Sequence, residues 1–371
     1  MKTLTSDEVR DLILGAEILG CGGGGSVELA LEILKQAEEQ GLKLRIAPLN
    51  ELNEDSLVFI VSRVGGGVEE DIKKRVERYP KKIERPELEA VKELANFLEK
   101  EPVAILASEI GAGNMLLPLF VAASLDKVTV DGDACGRAKP EIAISTTHVK
   151  GIPIAPLAAV TPFGDVAILK TALNDYTAED ICRQIAVASG GTCGVARCPA
   201  TPKQLKGGIV EGSISRCIKV GRNIREALKS GRDPIEAFIE ATGGKEIFTG
   251  VVKSWEREER RAFMWGNVEI EGRGPYDGHR IRIFFKNEFL ISWLDERPYV
   301  TCPDLICVID VKTGRGLSNW VDLKDNLGKE VAVVGVASAE IWRSPRGIEI
   351  FGPKHFDFDI EYVPLERISL K

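Results

Sequence analysis

The chain has 371 residues, 44% hydrophobic and 28% charged, with a formal net charge of -7. This balance supports a sizeable core and two domains of ordinary size. It excludes wholesale binding to nucleic acid or anionic lipid, which needs a concentrated positive face, and no apolar run approaches the roughly 20 residues of a membrane span.

In chain order, residues 6–19 read as a helix with Ser6 as N-cap, Asp7 and Glu8 in the first turn, and apolar Val9, Leu12, Ile13 and Ala16 on one face. Cys21-Gly22-Gly23-Gly24-Gly25-Ser26 breaks it, and a second helix runs to about Gln40, with Gly41 closing it. LKLRIAP and SLVFIVSRV are strands, VEEDIKKRVERY and PELEAVKELANFLEK helices, PVAILAS a strand, NMLLPLFVAASL a helix and DKVTVDGD a strand. Strands that alternate with helices and are apolar on both faces predict a mostly parallel sheet covered by helices. Beyond residue 142 come short strands and turns, then the helices TAEDICRQIAVASGG, SISRCIKVGRNIREALKSG and DPIEAFIEATGG. From 246 the segments EIFTGVVKSWE, FMWGNVEIEG, RIRIFFKNEFLISWL, DLICVIDVKTG, EVAVVGVAS and FDIEYVPL read as strands. The expected organisation is an α/β N-terminal domain over 1–165 carrying glycine-rich loops. A C-terminal domain over 166–371 follows, helical in 177–242 and β-rich in 246–371. No Pro/Ser-rich linker separates them, so tight packing is expected.

The first residues, MKTLTSDEVRDLI, lack the apolar stretch and cleavage site of a signal peptide, which makes the cytoplasm the expected compartment. Lysine, glutamate and arginine are abundant and glutamine scarce, as in many thermophile proteins. The eight cysteines do not make a small disulfide scaffold. Two C-x4-C pairs, Cys193/Cys198 and Cys302/Cys307, fall within loose zinc half-site spacing, but Cys307 belongs to an apolar strand and reads as core. Cys193 is a candidate nucleophile, set against a buried or incidental role.

Ligands of parallel sheets bind beyond the carboxyl ends of the strands, where loops and helix N-termini converge. Three such ends carry unusual residues: Ser62–Gly67, Ser108–Asn114 and Asp131–Glu141. Glu109, Asp131, Asp133 and Glu141 offer carboxylates for proton transfer or a metal, and Asn114 and Arg137 are orienting donors. Gly136 lets backbone approach a ligand closely. The run Gly22–Gly25 follows a helix, so it is neither a Rossmann nor a Walker loop, yet it could hold an anion at the next helix N-terminus. Each of these also has a bland reading: glycines that turn the chain, acids that cap helices. His148, His279 and His355 lack zinc spacing. His279 joins the candidate substrate contacts because it stands beside Asp277 and close to Asn287 and Glu288.

The segments GCGGGGS, EIGAGNMLLP and above all VDGDACGRAKPE resemble the S-methyl-thiohydantoin desulfurase-like family, and PDLICVIDVKTG, NEFL and GPKHFDFDIEYVP fit its C-terminal domain. The resemblance spans essentially the whole chain. Cys21 departs from the residue that often precedes the family's glycine run. Membership implies an α/β domain followed by a β-rich one. It also implies hydrolysis of an S-methylated thiohydantoin ring to a hydantoin and methanethiol, and association with hydantoinase and oxoprolinase proteins. By the same resemblance Gly22, Gly23, Gly24, Gly25, Glu109, Asn114, Asp131, Asp133, Gly136, Arg137 and Glu141 are expected at the site.

The leading expectation is a hydrolase in which Asp133 or Glu141 activates water, Arg137 and loop N–H groups stabilise the developing charge, and Asp131 assists. A divalent metal on Asp131, Asp133 and Glu109, or zinc using a histidine or cysteine, is the alternative water activator. No nucleotide cofactor is expected. Competing expectations are a hydantoin- or oxoproline-type cyclic amidase or its partner subunit, and a non-enzymatic small-molecule-binding protein. A homo-oligomer acting on a small molecule is the expected assembly, and no helix-turn-helix pattern points to DNA.

Overall fold

The computed structural model describes residues 1–319 and 323–368. The first part runs β1 (Lys2–Thr3), α1 (Ser6–Leu19), α2 (Val27–Glu39), β2 (Arg45–Ala47), β3 (Leu57–Gly65), α3 (Glu70–Val76), α4 (Pro86–Leu98), β4 (Pro102–Ala107), α5 (Ala112–Ser124), β5 (Val128–Asp133) and α6 (Thr146–Val149). It continues through β6 (Leu157–Val160), β7 (Val166–Leu169), α7 (Asp175–Ala188), β8 (Thr192–Ala200), α8 (Pro202–Leu205), β9 (Val210–Glu211), α9 (Ser213–Ser230) and α10 (Pro234–Thr242). The second part is β10 (Lys245–Arg260), β11 (Phe263–Gly272), β12 (Arg280–Lys286), β13 (Glu288–Leu294), β14 (Arg297–Thr301), β15 (Leu305–Asp310), β16 (Glu330–Val336) and α11 (Pro345–Phe351).

The first nine strands form one sheet in the order β1-β2-β5-β4-β3-β8-β6-β7, with β9 on β5. Its centre, β2-β5-β4-β3, is parallel, and antiparallel strands extend it on both sides. Alternation explains the apolar run of β3. Phe59 and Val61 face a cluster with Ala90, Leu94 and Val121 of α4 and α5, while Val58 and Ile60 face Val130, Ala200 and Leu205 on the other side. Both faces are thus dry, which a covered parallel strand requires. The remaining seven strands make an antiparallel sheet, β14-β13-β12-β11-β10-β16-β15.

Four local readings change. The first helix begins with Thr5, not Ser6, as its cap: Thr5 Oγ1 accepts from Glu8 N at 3.2 Å and the Glu8 carboxylate accepts from Thr5 N at 3.1 Å, a reciprocal capping box. The stretch 177–242 holds, besides its helices, the strand β8, whose backbone pairs with β3 along most of its length. The glycines ahead of it hid a strand that the sheet completes. RIRIFFKNEFLISWL is two strands, β12 and β13, joined at Asn287, which turns at φ 61 and whose Oδ1 accepts from Met264 N at 2.8 Å. FDIEYVPL, read as a strand, is irregular. Phe358 packs against Phe284 and Trp293, and Tyr362 Oη donates to Asp304 at 3.0 Å, so its partners are side chains instead of a neighbouring strand.

The two parts share one core that runs from Leu12 and Leu116 to Phe285, Phe289 and Val333. Their backbones also interlock. Phe289 N donates to Cys21 O and Asn319 N to Gly22 O, both at 2.8 Å. The glycine run crosses the β4–α5 connection so closely that a Cβ on Gly24, at φ +79, would lie 2.4 Å from Gly111 Cα. Gly24→Ala is expected to lose about 2–4 kcal/mol in urea denaturation, from left-handed backbone plus overpacking. Gly41→Ala, at φ +64 with nothing within 4 Å, is expected to lose only about 1 kcal/mol.

Candidate functional site

A cavity of about 310 Å³ opens at the carboxyl ends of β3 and β4, between them and the start of β13. The first part supplies Gly24 and Gly25, Ser62 to Gly66, Ser108, Glu109 and Asn114, and Lys139 to Ile142; the second part supplies Asn287 and Glu288. Helices α2 and α5 both begin here. Ser26 caps α2 by accepting from Leu29 N at 3.1 Å, and Asn114 stands in the first turn of α5. Two positive helix ends therefore face one cavity.

Two buried carboxyl groups line it, near enough for the charge of one to act on the other. Glu109 is 8% exposed; it accepts from Asn114 Nδ2 and, at 3.0 Å, from the backbone N–H of Lys139. Burial pushes it above the usual carboxylate range despite these donors. Glu288 is 2% exposed and its Oε2 has no hydrogen-bond partner among the described residues. Burial, and then the charge of Glu109, push it well above that range. Gly23 makes room for it: a Cβ there would stand 2.1 Å from Glu288 Oε1. A close acid pair of unequal hydrogen bonding retains one proton where isolated carboxyls would have lost it.

Glu141 behaves oppositely. Its oxygens accept from Lys286 Nζ and from His355 Nε2 at 3.0 Å. Burial alone would raise its pKa, but the His355 hydrogen bond and the Lys286 charge outweigh it and hold the carboxyl at about 2. Lys286 lies over the Phe263 and Trp265 rings, 4.2 and 4.9 Å from their centroids. Glu141 is thus a permanent carboxylate locking β12 onto the cavity rim.

The expected site residues divide. Gly24, Gly25, Glu109, Asn114 and Glu141 line the cavity; Gly22 and Gly23 stand behind its wall. Asp133 does not line it: fully buried, it accepts from Cys135 N at 2.8 Å, Gly136 N at 2.7 Å and the Ser213 hydroxyl, with burial pushing it up to about 7. Asp131 accepts from Ser215 N and Oγ at 3.0 and 2.6 Å, in the first turn of α9. Gly136 packs toward Val210 and Ala339. Arg137 donates to the carbonyls of Ala138, Asp304 and Phe289 at 3.0, 2.7 and 2.5 Å, so its guanidinium is a brace. His279 is exposed on the β11–β12 turn and pairs with Asp295 at 2.6 Å, away from the cavity walls.

Residues that sequence reasoning did not place at the site are Glu288, Asn287, Lys139, Lys286 and His355. The NEFL segment was the available signal for Glu288, but it lay inside what read as one strand. Among the described residues no three His, Cys, Asp or Glu side chains gather as a metal site. Asp131 and Asp133 direct their oxygens to Ser215 and Ser213, so they do not join Glu109 around an ion. All eight cysteines are free and buried. Cys193 clusters with Cys182 and Cys307 with Cys21, while Cys198 and Cys302 lie in two other apolar clusters, so the members of each C-x4-C pair sit in separate cores.

The Glu141 lock has a signed pH dependence. A folded pKa near 2 against an ordinary 4.5 contributes stability that is present above pH 4.5 and lost as pH falls toward 2. Glu141→Gln is expected to cost about 3 kcal/mol or more at neutral pH, since it strands a buried lysine. Denaturation series should show this difference shrinking on acidification through that window.

A family profile described as the S-Me-THD-like N-terminal domain matches residues 7–171, and one described as the S-Me-THD-like C-terminal domain matches residues 173–365. A crystallised protein from Chromobacterium violaceum superimposes with a TM-score of 0.80 at 22% identity, covering 98% of this chain and 100% of its own, which establishes a shared fold. No curated protein matches significantly. Among the described residues no helix is long and apolar enough to cross a membrane. With both profiles matched in order across nearly its whole length, the chain belongs to the S-Me-THD-like family.

Proposed function

We propose that the chain hydrolyses a small five-membered cyclic amide or thiohydantoin in this cavity, converting an S-methyl-thiohydantoin to a hydantoin and methanethiol. The observation that carries this reading is the Glu109–Glu288 pair, two buried carboxyls contributed by different parts of the chain to one small cavity. Family membership supports the substrate class.

The asymmetry of the pair assigns the roles. Glu109, held by two N–H donors, is the better carboxylate and takes a proton from the attacking water. Glu288, with an unpartnered Oε2 in a dry setting, keeps its proton and gives it to the departing thiolate. Water oxygen bonds to the ring carbon between the two nitrogens, and the proton Glu109 took from it passes to the ring C=N nitrogen. The C–S bond then breaks as the hydroxyl gives its proton to Glu109 and the new C=O forms, and a proton passing from Glu109 to Glu288 restores the pair. The N-terminal ends of α2 and α5 stabilise the negative charge that builds meanwhile. Glu141, at a pKa of about 2, is too weak a base for this step and serves to position the rim. Asp133 and Arg137 hold the loop that carries Lys139 and Glu141.

Glu109→Gln and Glu288→Gln are each expected to lower kcat at least about 100-fold, read as thiol released from an S-methyl-thiohydantoin. The rate should fall as pH rises through the upper pKa of the pair, and Glu288→Gln should abolish that limb. Full turnover in Glu288→Gln would discard the mechanism. Ring opening of a hydantoin without thiol release would instead assign the cavity to a cyclic amidase.

A further inference from the structure

Lys139 takes no part in that hydrolysis, yet its side chain lines the cavity and is only 4% exposed. Its Nζ donates to Ser108 Oγ at 3.2 Å and to the Glu141 carbonyl at 3.4 Å. No ion pair joins this amine to a carboxylate among the described residues. Glu109 takes the backbone N–H of Lys139, not its amine, and Glu141 gives both oxygens to Lys286 and His355.

The other partner of Ser108 Oγ is a second base. Arg197 Nη2 donates to it at 3.0 Å, and the guanidinium is fully buried with Nε and Nη1 unpartnered. Two basic groups therefore meet at one hydroxyl in a dry pocket. Arginine keeps its charge under such conditions, so the lysine is the group that yields its proton. Glu109, Glu179 and Cys135 face Lys139 and favour the ammonium; burial and Arg197 oppose it and lower its pKa. A desolvated lysine beside another cation is an activated nucleophile.

We propose that Lys139 is a nucleophilic amine that captures a small aldehyde or 2-oxo acid in the cavity as an imine. A neutral amine has two N–H groups, which Ser108 Oγ and the Glu141 carbonyl accept, and one lone pair left for the carbonyl carbon. Nζ bonds to that carbon, and Glu109 carries one nitrogen proton to the carbonyl oxygen, which becomes hydroxyl. Glu288 protonates the hydroxyl, which leaves as water while C=N forms, and the second nitrogen proton returns to Glu288. The sum is amine plus carbonyl giving imine plus water, with no further reactant. The N-terminal ends of α2 and α5, which face the cavity, would take the carboxylate of a 2-oxo acid. This activity is separate from thiohydantoin hydrolysis and is read without that substrate.

The test is reductive trapping. The full chain is incubated with glyoxylate and sodium cyanoborohydride at neutral pH, then digested and mapped by mass. One carboxymethyl group per chain is expected on Lys139, at least about tenfold faster than on surface lysines. Lys139→Arg, checked for native circular dichroism, should lose that label and keep the slow surface labelling. Because the map is made on the unaltered chain, a misfolded variant does not decide the result. Labelling confined to surface lysines, or labelling of Lys139 only at the alkaline pH where ordinary lysines react, overturns the proposal.

Discussion

The fully buried Arg137 guanidinium is the interaction on which the site depends. Its donors end on three main-chain carbonyls, two of them in the C-terminal part. A buried cation needs every donor satisfied, so the loop after β5 has one place to sit: against the start of β13 and residue 304. That placement sets Phe289, and hence Glu288, beside the glycine run and Glu109.

The loop after β5 is polar because of this holding task. Asp133 gathers the N–H groups of Cys135 and Gly136, Asp131 secures the start of α9, and Trp342 Nε1 donates to Cys135 O at 2.6 Å. These groups are saturated with partners, which suits them to hold shape and leaves little capacity for chemistry. The cavity groups differ in kind. Glu288 Oε2 and Ser62 Oγ are buried in the cavity wall without partners, and polar atoms left free on the wall of a hollow have capacity for a ligand.

The glycine run joins the two tasks. Gly24 lets two backbones cross in contact, and Gly23 leaves the space that Glu288 fills. Four consecutive glycines are costly in unfolded-state entropy. The cost is offset because the run brings the N-terminus of α2, the β4–α5 connection and β13 into one wall.

Local pattern was enough to specify the layered α/β part, its parallel centre, the β-rich second part and the strand ends where loops converge. Those follow from local periodicity and from apolar runs that must be covered on both faces. It also marked Glu109, Asn114, Glu141 and the glycines, because acids and glycines at strand ends are visible in one dimension. Only the tertiary structure decided which of those acids face the cavity. Asp131, Asp133, Arg137 and Gly136 share the most distinctive motif with Glu141, but their donors and acceptors are matched to backbone and serine groups that no local pattern reveals. Glu288 entered for the same reason in reverse. A one-residue turn at Asn287 split an apparent strand, and a buried carboxyl some 180 residues from Glu109 in sequence became its neighbour. Proton affinity is set by burial and by such neighbours, so the chemistry was fixed by contacts distant in the chain.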